Sequence, residues 1–328
     1  MSSSCSFDTQ ETRMNNLCLG IHIPTFILGL LLNLLAIHRF SNFLRSPNHT
    51  ATSIYMINLA VFDLLQVLSL AFRMTLSTNC WPMVYCTMAE CLYYISMYGS
   101  IFTICFISLD RFLAVQFPFL TIHLRSPKKI FCICCVIWVL VWVGSIPIYN
   151  FHEQNGDNKI KCFHNMTNST WSARVIMPLE VFGFLVPLGT VAFCSFRTIH
   201  ILLHCQSYAQ SWAHRKASIW TIRANLAVFV VSFLPVHLAF FLRFLMEYKN
   251  VFKEQETIDN IRFFLQLSLC LSNTNCCLDV FCYYFVMKEF RASLPTRRTS
   301  SWSTTWSTRA SGKQKEAPPP HPRSNTPS

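Results

Sequence analysis

Charge and glycine are scarce in this sequence. Only 13% of its 328 residues are Asp, Glu, Lys or Arg and only 8 are Gly, whereas 52% are hydrophobic. Soluble domains usually carry about 25% charged residues, so this composition excludes an ordinary soluble protein. The sequence also lacks an internal repeat, a Gly-x-Ser-x-Gly or His-Glu-x-x-His signature, and any connection long enough to hold a catalytic domain. We therefore predict a membrane protein that is not an enzyme.

Long apolar runs are what the sequence has in abundance. Seven runs are close to the ~20 residues that a helix needs to cross a bilayer. They are Ile21–Phe40, Thr52–Met74, Cys86–Val115, Ile130–Asn150, Val175–Leu203, Ile222–Met246 and Ile261–Met287. The first run has no basic leader or small-residue cleavage site, so we interpret it as a retained span. The prediction is an all-α fold: an N-terminal segment (1–20), a seven-transmembrane helix bundle (21–290) and a tail (291–328).

Basic residues indicate which way the bundle faces. The predicted inner loops carry an excess of them, including Arg39, Arg45, Arg125, Lys128, Lys129, Arg215, Lys216 and Arg223. Cytoplasmic loops typically show this excess, so we predict an extracellular N-terminus and a cytoplasmic tail. Glycosylation sequons at Asn165 and Asn168 would then lie outside, although the inner-side sequon at Asn48 shows that chance matches occur. The net charge of +12 suits an anionic inner leaflet, and we expect no nucleic-acid partner.

Cysteines in the outer segments face an oxidising compartment. Cys86 lies at the outer end of span three and Cys162 lies in the long outer loop, which makes them the best candidates for a disulfide. Cys5, Cys18 and Cys80 lie on the same side, and the sequence does not assign their partners.

Polar and aromatic motifs recur at matching depths along the spans. They are Asn58 to Asp63 in span two, Asp110-Arg111-Phe112 in span three, Trp138 in span four, Pro187 in span five, Phe229 to Pro235 in span six and Asp279 to Tyr283 in span seven. In this order they resemble the rhodopsin-like (class A) G-protein-coupled receptors, from about Asn33 to Phe290. The resemblance implies a plasma-membrane receptor for heterotrimeric G proteins, with a short amphipathic eighth helix over Phe285 to Phe290.

The pair Asp110-Arg111 directly follows 19 uncharged residues, so it lies at a membrane surface, predicted to be the inner one. The simpler interpretation is a charge pair that marks the membrane edge. The resemblance implies a switch, in which Asp110 holds Arg111 until a G protein binds there. It also implies that Phe119 and Tyr283 contribute to coupling.

Three of the departures from the pattern of the family concern residues around this switch. Phe112 replaces a common Tyr, and Ser195 replaces a Tyr that usually meets the switch. Val280 stands where most members have Pro, and because Val can donate its backbone N–H, the usual kink in span seven is not expected.

A group of polar side chains is predicted near the middle of the membrane. Asp63, Ser100, Asn275 and Asp279 lie at similar depth on three spans, and Asn275 and Asp279 share a helix face because they are four residues apart. Buried ionisable groups need partners in a membrane. One hypothesis is a pocket that holds an allosteric sodium ion, as in related receptors. The alternative is hydrogen bonding between helices alone.

The outer half of the bundle contains cations above apolar side chains. The candidate ligand-binding residues are Arg73, Glu90, Tyr93, Met97, Phe182, Phe233, His237, Phe240, Arg243 and Gln266. The cations favour an anionic headgroup and the apolar residues favour a chain beneath it, as in a lysophospholipid or fatty acid. Alternatively, outer cations extend towards lipid headgroups. Glu90 is expected to bind either Arg73 or a ligand hydroxyl.

Longer strings, such as Asn275 to Tyr284 and Leu124 to Phe131, are similar to receptors of this family for lysophosphatidylinositol and cannabinoid-like lipids. The similarity implies signalling through G12/13 and Gq to Rho activation and calcium release. Another anionic lipid or a nucleotide-like ligand is an alternative. A less favoured alternative is an intramembrane aspartyl enzyme that uses Asp63 and Asp279.

The tail is rich in Ser and Thr between Thr296 and Ser311 and then in proline, so we expect it to be disordered. Phosphorylation would add negative charge that an arrestin can bind, and an unregulated polar tail is the alternative.

Overall fold

The computed structural model describes residues 9–44, 50–76, 81–147, 159–160, 162, 170–204, 212–247 and 254–293. The predicted glycosylation sites Asn165 and Asn168, the tail beyond residue 293, and Cys5 and Cys80 lie outside the described residues.

Ten α-helices run through the described part of the chain. They are α1 (Thr9–Phe43), α2 (Thr50–Leu76), α3 (Met83–Gln116), α4 (Pro118–Leu124), α5 (Pro127–Gly144), α6 (Ala173–Glu180), α7 (Val186–His204), α8 (Trp212–Glu247), α9 (Gln255–Ser272) and α10 (Asn275–Ser293). A π-helical turn, Val181–Leu185, joins α6 to α7 so that the three form one continuous span. Two short strands, β1 (Trp81–Pro82) and β2 (Lys159–Ile160), pair antiparallel, a small addition to the predicted all-α fold.

Six spans are long and apolar enough to cross a membrane within the described ranges, and they correspond to the first six predicted spans. The seventh predicted span is divided into α9 and α10 at Asn273 and Thr274. There Asn273 Nδ2 donates to the Leu269 carbonyl (3.0 Å) and Thr274 Oγ1 donates to the Leu271 carbonyl (2.7 Å). Such side chains compete with the backbone for carbonyls. The helix therefore breaks without a proline. The break lies six residues before Val280, which is the position at which most family members have a proline.

Both ends of the predicted bundle differ from expectation. The first helix begins at Thr9, so much of the segment predicted as an N-terminal extension is continuous with span one. At the other end, α10 runs unbroken to Ser293. The predicted eighth helix over Phe285 to Phe290 is thus part of α10, since the residues between Tyr283 and Phe290 contain no helix-breaking Gly or Pro.

The third helix is the centre of the bundle. It packs against α2, α5, α7 and α8, and most of its residues from Cys86 to Asp110 are buried. Trp138 Nε1 donates to Asn58 Oδ1 (3.0 Å), and Asn58 Nδ2 donates to Thr103 Oγ1 (2.9 Å), which ties three helices together. Gly99 allows the Phe62 ring to lie directly on α3, because a Cβ at this position would overlap the ring.

One end of the bundle carries the strand pair and a disulfide between Cys86 and Cys162. We call this end, where Arg73, Arg243 and Trp171 also lie, the mouth. The opposite end, where α3 finishes near Asp110, is the Asp110 end.

Candidate functional sites

The middle of the bundle holds two buried carboxyl groups in contact. Asp63 on α2 and Asp279 on α10 are fully buried and interact directly. Tyr283 Oη donates to Asp63 Oδ2 (2.8 Å), and Asn275 Nδ2 donates to Asp279 Oδ2 (3.0 Å). Two such carboxyl groups cannot both stay ionised without a proton or a cation between them.

Three buried oxygen atoms at this level have no hydrogen-bond partner among the described residues. They are Asp63 Oδ1, Ser100 Oγ and Asn275 Oδ1. Carboxylate, hydroxyl and amide oxygens are ligands for a small hard cation, so these residues fit a sodium ion. The described residues contain no cluster of three or more His, Cys, Asp or Glu side chains of the kind that binds a transition metal.

The Asp110 end is held by an ion pair between the end of α3 and the loop that precedes α5. Arg125 binds the Asp110 carboxylate through two nitrogens, with Nη2 to Oδ2 at 2.8 Å and Nε to Oδ1 at 3.1 Å. The same Nη2 donates to Thr52 Oγ1 on α2 (3.1 Å). Asp110 is buried, and Arg111 beside it is half-buried. Two-point binding fixes the Arg125 side chain as well as pairing its charge.

At the mouth, two arginines, one on α2 and one on α8, are largely removed from water. Arg73 on α2 is only 7% exposed, and its Nη2 donates to Gln266 Oε1 on α9 (3.3 Å). Arg243 on α8 binds Glu247 (2.6 Å) and lies over the ring of Trp171, 5.5 Å from the ring centroid. A cation on an aromatic face is stabilised by the ring's electrons.

Below these arginines the bundle interior is aromatic and apolar. Met97 and Phe233 are completely buried and Phe240 almost so. Tyr93 and Ser272 share a short hydrogen bond (2.6 Å between their oxygens) that joins α3 to α9. Two cations thus lie above an interior that is lined largely by aromatic and apolar side chains, which suits an amphiphilic anion.

Comparison with known proteins identifies the family. The profile described as "7 transmembrane receptor (rhodopsin family)" matches residues 5–283. The chain belongs to this receptor family. The receptor is 61% identical over 302 residues to human G-protein coupled receptor 55, covering 91% of this chain and 94% of that protein. It is 58% identical to the mouse protein of the same name, with the same coverage, and 32% identical over 294 residues to chicken lysophosphatidic acid receptor 6, covering 87% and 94%.

Membership of the family has two direct consequences. The protein is a multi-pass receptor of the plasma membrane that couples to G proteins, as its motifs indicated. It is also not an enzyme, because its relatives are G-protein-coupled receptors. The alternative of an intramembrane aspartyl enzyme therefore falls, and the Asp63 and Asp279 carboxyl groups belong to the receptor's interior.

One predicted ligand contact of the receptor is wrong. The Phe182 side chain is 68% exposed, too much for a residue that lines a pocket inside the bundle. Phe182 lies within the π-helical turn, whose extra residue per turn shifts the positions that face inwards. Phe184 faces the interior of the bundle instead of Phe182 and is only 2% exposed.

The remaining predicted residues separate into three places. Glu90, Tyr93, Met97, Phe233, His237 and Phe240 are buried between the mouth and the middle of the bundle, and Arg73, Arg243 and Gln266 lie at the mouth. Phe119 is 85% exposed on α4 near the Asp110 end, and its role in coupling stays a prediction. Tyr283 is buried and bonded to Asp63, so the structure groups it with the polar middle rather than with the surface.

Three residues with important contacts were missed from the sequence. Arg125 binds Asp110, Trp171 lies under Arg243, and Glu180 binds His237. Only Glu180 had a signal in the sequence, since it is an acidic residue inside an apolar span and such residues usually have a function. Arg125 and Trp171 lie in connections, where periodicity carries no information.

Proposed function

We propose that this receptor is activated by a lysophospholipid, with lysophosphatidylinositol or a cannabinoid-like lipid as the preferred ligand, which enters through the mouth. The mouth faces the extracellular side and the Asp110 end faces the cytoplasm. The ligand's anionic group lies between Arg73 and Arg243, and its chain extends towards Met97 and Phe233. The names of relatives that are lysophosphatidic acid receptors favour a lipid of this class.

The observation that carries the proposal is the environment of Arg243. Its guanidinium lies on Trp171, its side chain is only 14% exposed, and its buried Nε has no hydrogen-bond partner among the described residues. Burying a cation costs free energy unless its donors are satisfied. An anionic ligand oxygen supplies the missing acceptor, and a planar guanidinium can bind a phosphate through two nitrogens.

The test is agonist-stimulated nucleotide exchange on purified G proteins, with the receptor in lipid nanodiscs. We expect lysophosphatidylinositol to stimulate exchange and the variant Arg243→Ala to lower its potency about ten-fold or more, since hydrogen bonds between charged groups are worth about 1.5–3 kcal/mol. Arg13→Ala is the control, because Arg13 is an exposed arginine near the start of α1. Equal effects of the two variants would contradict the proposed binding site.

Other ligands give other outcomes in the same assay. A higher potency for lysophosphatidic acid, or for a nucleotide, would replace the lipid named here with one of those alternatives. Absence of exchange with every G protein and every ligand would overturn the proposed activation by lipid altogether.

For the cytoplasmic side we propose coupling to G12/13 and Gq, leading to Rho activation and calcium release. The coupling surface includes Asp110, Arg111 and Phe119, and the phosphorylated tail recruits arrestin. Arg125 joins the predicted pair of Asp110 and Arg111, because Arg125 binds the Asp110 carboxylate. A receptor truncated after residue 294 that recruits arrestin normally would contradict the role of the tail.

We also propose an allosteric sodium ion among Asp63, Ser100, Asn275 and Asp279, supported by the three oxygen atoms there that have no hydrogen-bond partner among the described residues. Agonist affinity should then fall when sodium replaces a bulky organic cation, and Asp63→Asn should abolish this difference. If affinity is the same in both salts for the unaltered receptor, hydrogen bonding alone explains the cluster.

A further inference from the structure

A buried histidine and a buried glutamate form a pair between the mouth and the middle of the bundle. His237 on α8 is 1% exposed, Glu180 at the end of α6 is 7% exposed, and His237 Nδ1 lies 3.1 Å from Glu180 Oε1. A carboxylate only accepts hydrogen bonds, so the proton of this bond resides on Nδ1. The pair therefore fixes which ring nitrogen of His237 remains for another partner.

Aromatic neighbours hold the His237 ring in one orientation. Phe184 stacks on its face, with ring centroids 4.1 Å apart and planes 6° from parallel. The rings of Tyr98 and Phe240 approach edge-on at 5.8 and 5.7 Å. These three contacts oppose rotation of the ring towards another partner for its second nitrogen.

Two polar atoms in this aromatic enclosure have no partner. Among the residues that the structure describes, buried His237 Nε2 and buried Tyr98 Oη make no hydrogen bond. The Tyr98 ring is seated against the backbone of Gly183, where a Cβ would come within 2.8 Å of Tyr98 Cε1. Buried polar atoms are rarely left unpaired, because a buried hydrogen-bonding group without a partner costs free energy.

The geometry points to a subsite that binds an uncharged ligand hydroxyl through His237 Nε2 and Tyr98 Oη, with Glu180 as the residue that positions the histidine. This inference rests on the proposed function, since it assigns one group of the lysophospholipid to one place. The lipid's free hydroxyl would be recognised here, below the anionic group at Arg243.

A hydroxyl suits this subsite better than other polar groups. Neutral His237 offers an acceptor at Nε2, protonated His237 offers a donor, and a hydroxyl can serve as partner to either. An anionic oxygen would meet the charge of Glu180 behind the ring, so the anion is better placed at the arginines. His237 is six residues from Arg243 on α8, about 9 Å deeper along the helix axis, which places the hydroxyl between the anionic group and the chain.

In a lysophospholipid the free hydroxyl on glycerol occupies that position, between phosphate and acyl chain. A diacyl phospholipid has an ester there, which accepts but cannot donate. The subsite would therefore select lyso-lipids over diacyl lipids. A hydroxyl of a polyol headgroup is the other possible source, and the choice of ligands separates the two.

The test measures the affinity of full-length receptor in nanodiscs for three ligands: lysophosphatidylinositol, its analogue without the glycerol hydroxyl, and lysophosphatidic acid. For the unaltered receptor we expect the deoxy analogue to bind about five-fold more weakly than lysophosphatidylinositol. Tyr98→Phe should remove most of that difference, because it deletes one partner and keeps the ring. Tyr85→Phe is the matched control, since Tyr85 is 54% exposed near the mouth.

The positioning role of Glu180 has its own readout. Glu180→Gln keeps an acceptor for the Nδ1 proton and should preserve the preference for the hydroxyl, whereas Glu180→Leu should lose it. If Tyr98→Phe weakens the binding of all three ligands equally, or weakens the binding of none of them, the subsite is refuted. A preference that Glu90→Gln removes and Tyr98→Phe leaves intact would assign the hydroxyl to Glu90 instead.

Two further results have separate meanings. If lysophosphatidic acid loses affinity on Tyr98→Phe as lysophosphatidylinositol does, the hydroxyl is that of glycerol; if only lysophosphatidylinositol does, it belongs to the headgroup. If lysophosphatidylinositol does not bind the unaltered receptor, the proposed function fails and the subsite fails with it. If lysophosphatidylinositol binds and Tyr98→Phe leaves its affinity unchanged, the subsite is refuted and the proposed function is not.

Discussion

Removing one oxygen atom from Tyr283 tests the network at the middle of the bundle. In the structure Tyr283 is 4% exposed and its hydroxyl donates to Asp63 Oδ2 at 2.8 Å. Hydrogen bonds to charged groups contribute about 1.5–3 kcal/mol, and here the deletion also leaves a buried carboxyl oxygen without its donor. We therefore expect Tyr283→Phe to lower the free energy of unfolding by about 1.5–3 kcal/mol.

The measurement is the melting temperature of purified ligand-free receptor in nanodiscs. At about 2–4 °C for each kcal/mol, the expected decrease is about 3 to 12 °C. Tyr284→Phe is the matched control. Tyr284 is the next residue on α10, is 60% exposed, and should lose its hydroxyl at no measurable cost.

A double-mutant cycle separates this hydrogen bond from the rest of the site. In a receptor that already carries Asp63→Ala, the Tyr283 hydroxyl has no carboxyl group to which it can donate. The further effect of Tyr283→Phe on the melting temperature should therefore be close to zero. An equal decrease with and without the Asp63 carboxyl would show that the Tyr283 hydroxyl stabilises the receptor through a contact other than Asp63, and the reasoning would be refuted.

Two further changes address packing and the Asp110 end. Gly99→Ala should destabilise the receptor by about 1–3 kcal/mol because its Cβ overlaps the Phe62 ring, whereas Gly144→Ala, whose Cβ has no atom of the described residues within 4 Å, should be neutral in the same melting assay. Arg125→Ala should lower agonist-free nucleotide exchange about five-fold, corresponding to about 1 kcal/mol for a partly exposed ion pair, because Asp110 would then be fully available to Arg111. A rise in agonist-free exchange would contradict the argument that Asp110 holds Arg111 more firmly once Arg125 is removed.

Contacts within one helix were accessible from the sequence. The hydrogen bond between Asn275 and Asp279 follows from their spacing of four residues, since helical periodicity places both on one face. The break in span seven was not accessible in this way. It depends on hydrogen bonds from the side chains of Asn273 and Thr274 to nearby carbonyls. Asn and Thr also occur within unbroken helices, so their presence alone does not predict a break.

Contacts between helices required the structure. Tyr283 and Asp63 form a hydrogen bond although they are 220 residues apart in the sequence. His237 and Glu180 do so although they are 57 residues apart. Which side chains face each other depends on the rotation of each helix about its axis. A single π-helical turn changes that rotation, as the exchange of Phe182 for Phe184 at the interior shows.

The sequence by itself determined that this chain is a bundle of apolar spans, and its motifs indicated the receptor family, because scarce charge and runs of about 20 apolar residues have few other physical solutions. Tertiary structure alone decided how the polar groups are partnered: Asp110 with Arg125, Tyr283 with Asp63, and Glu180 with His237. The physical reason is that burial in a membrane requires a partner for each polar group, and only the packing of the helices selects which one.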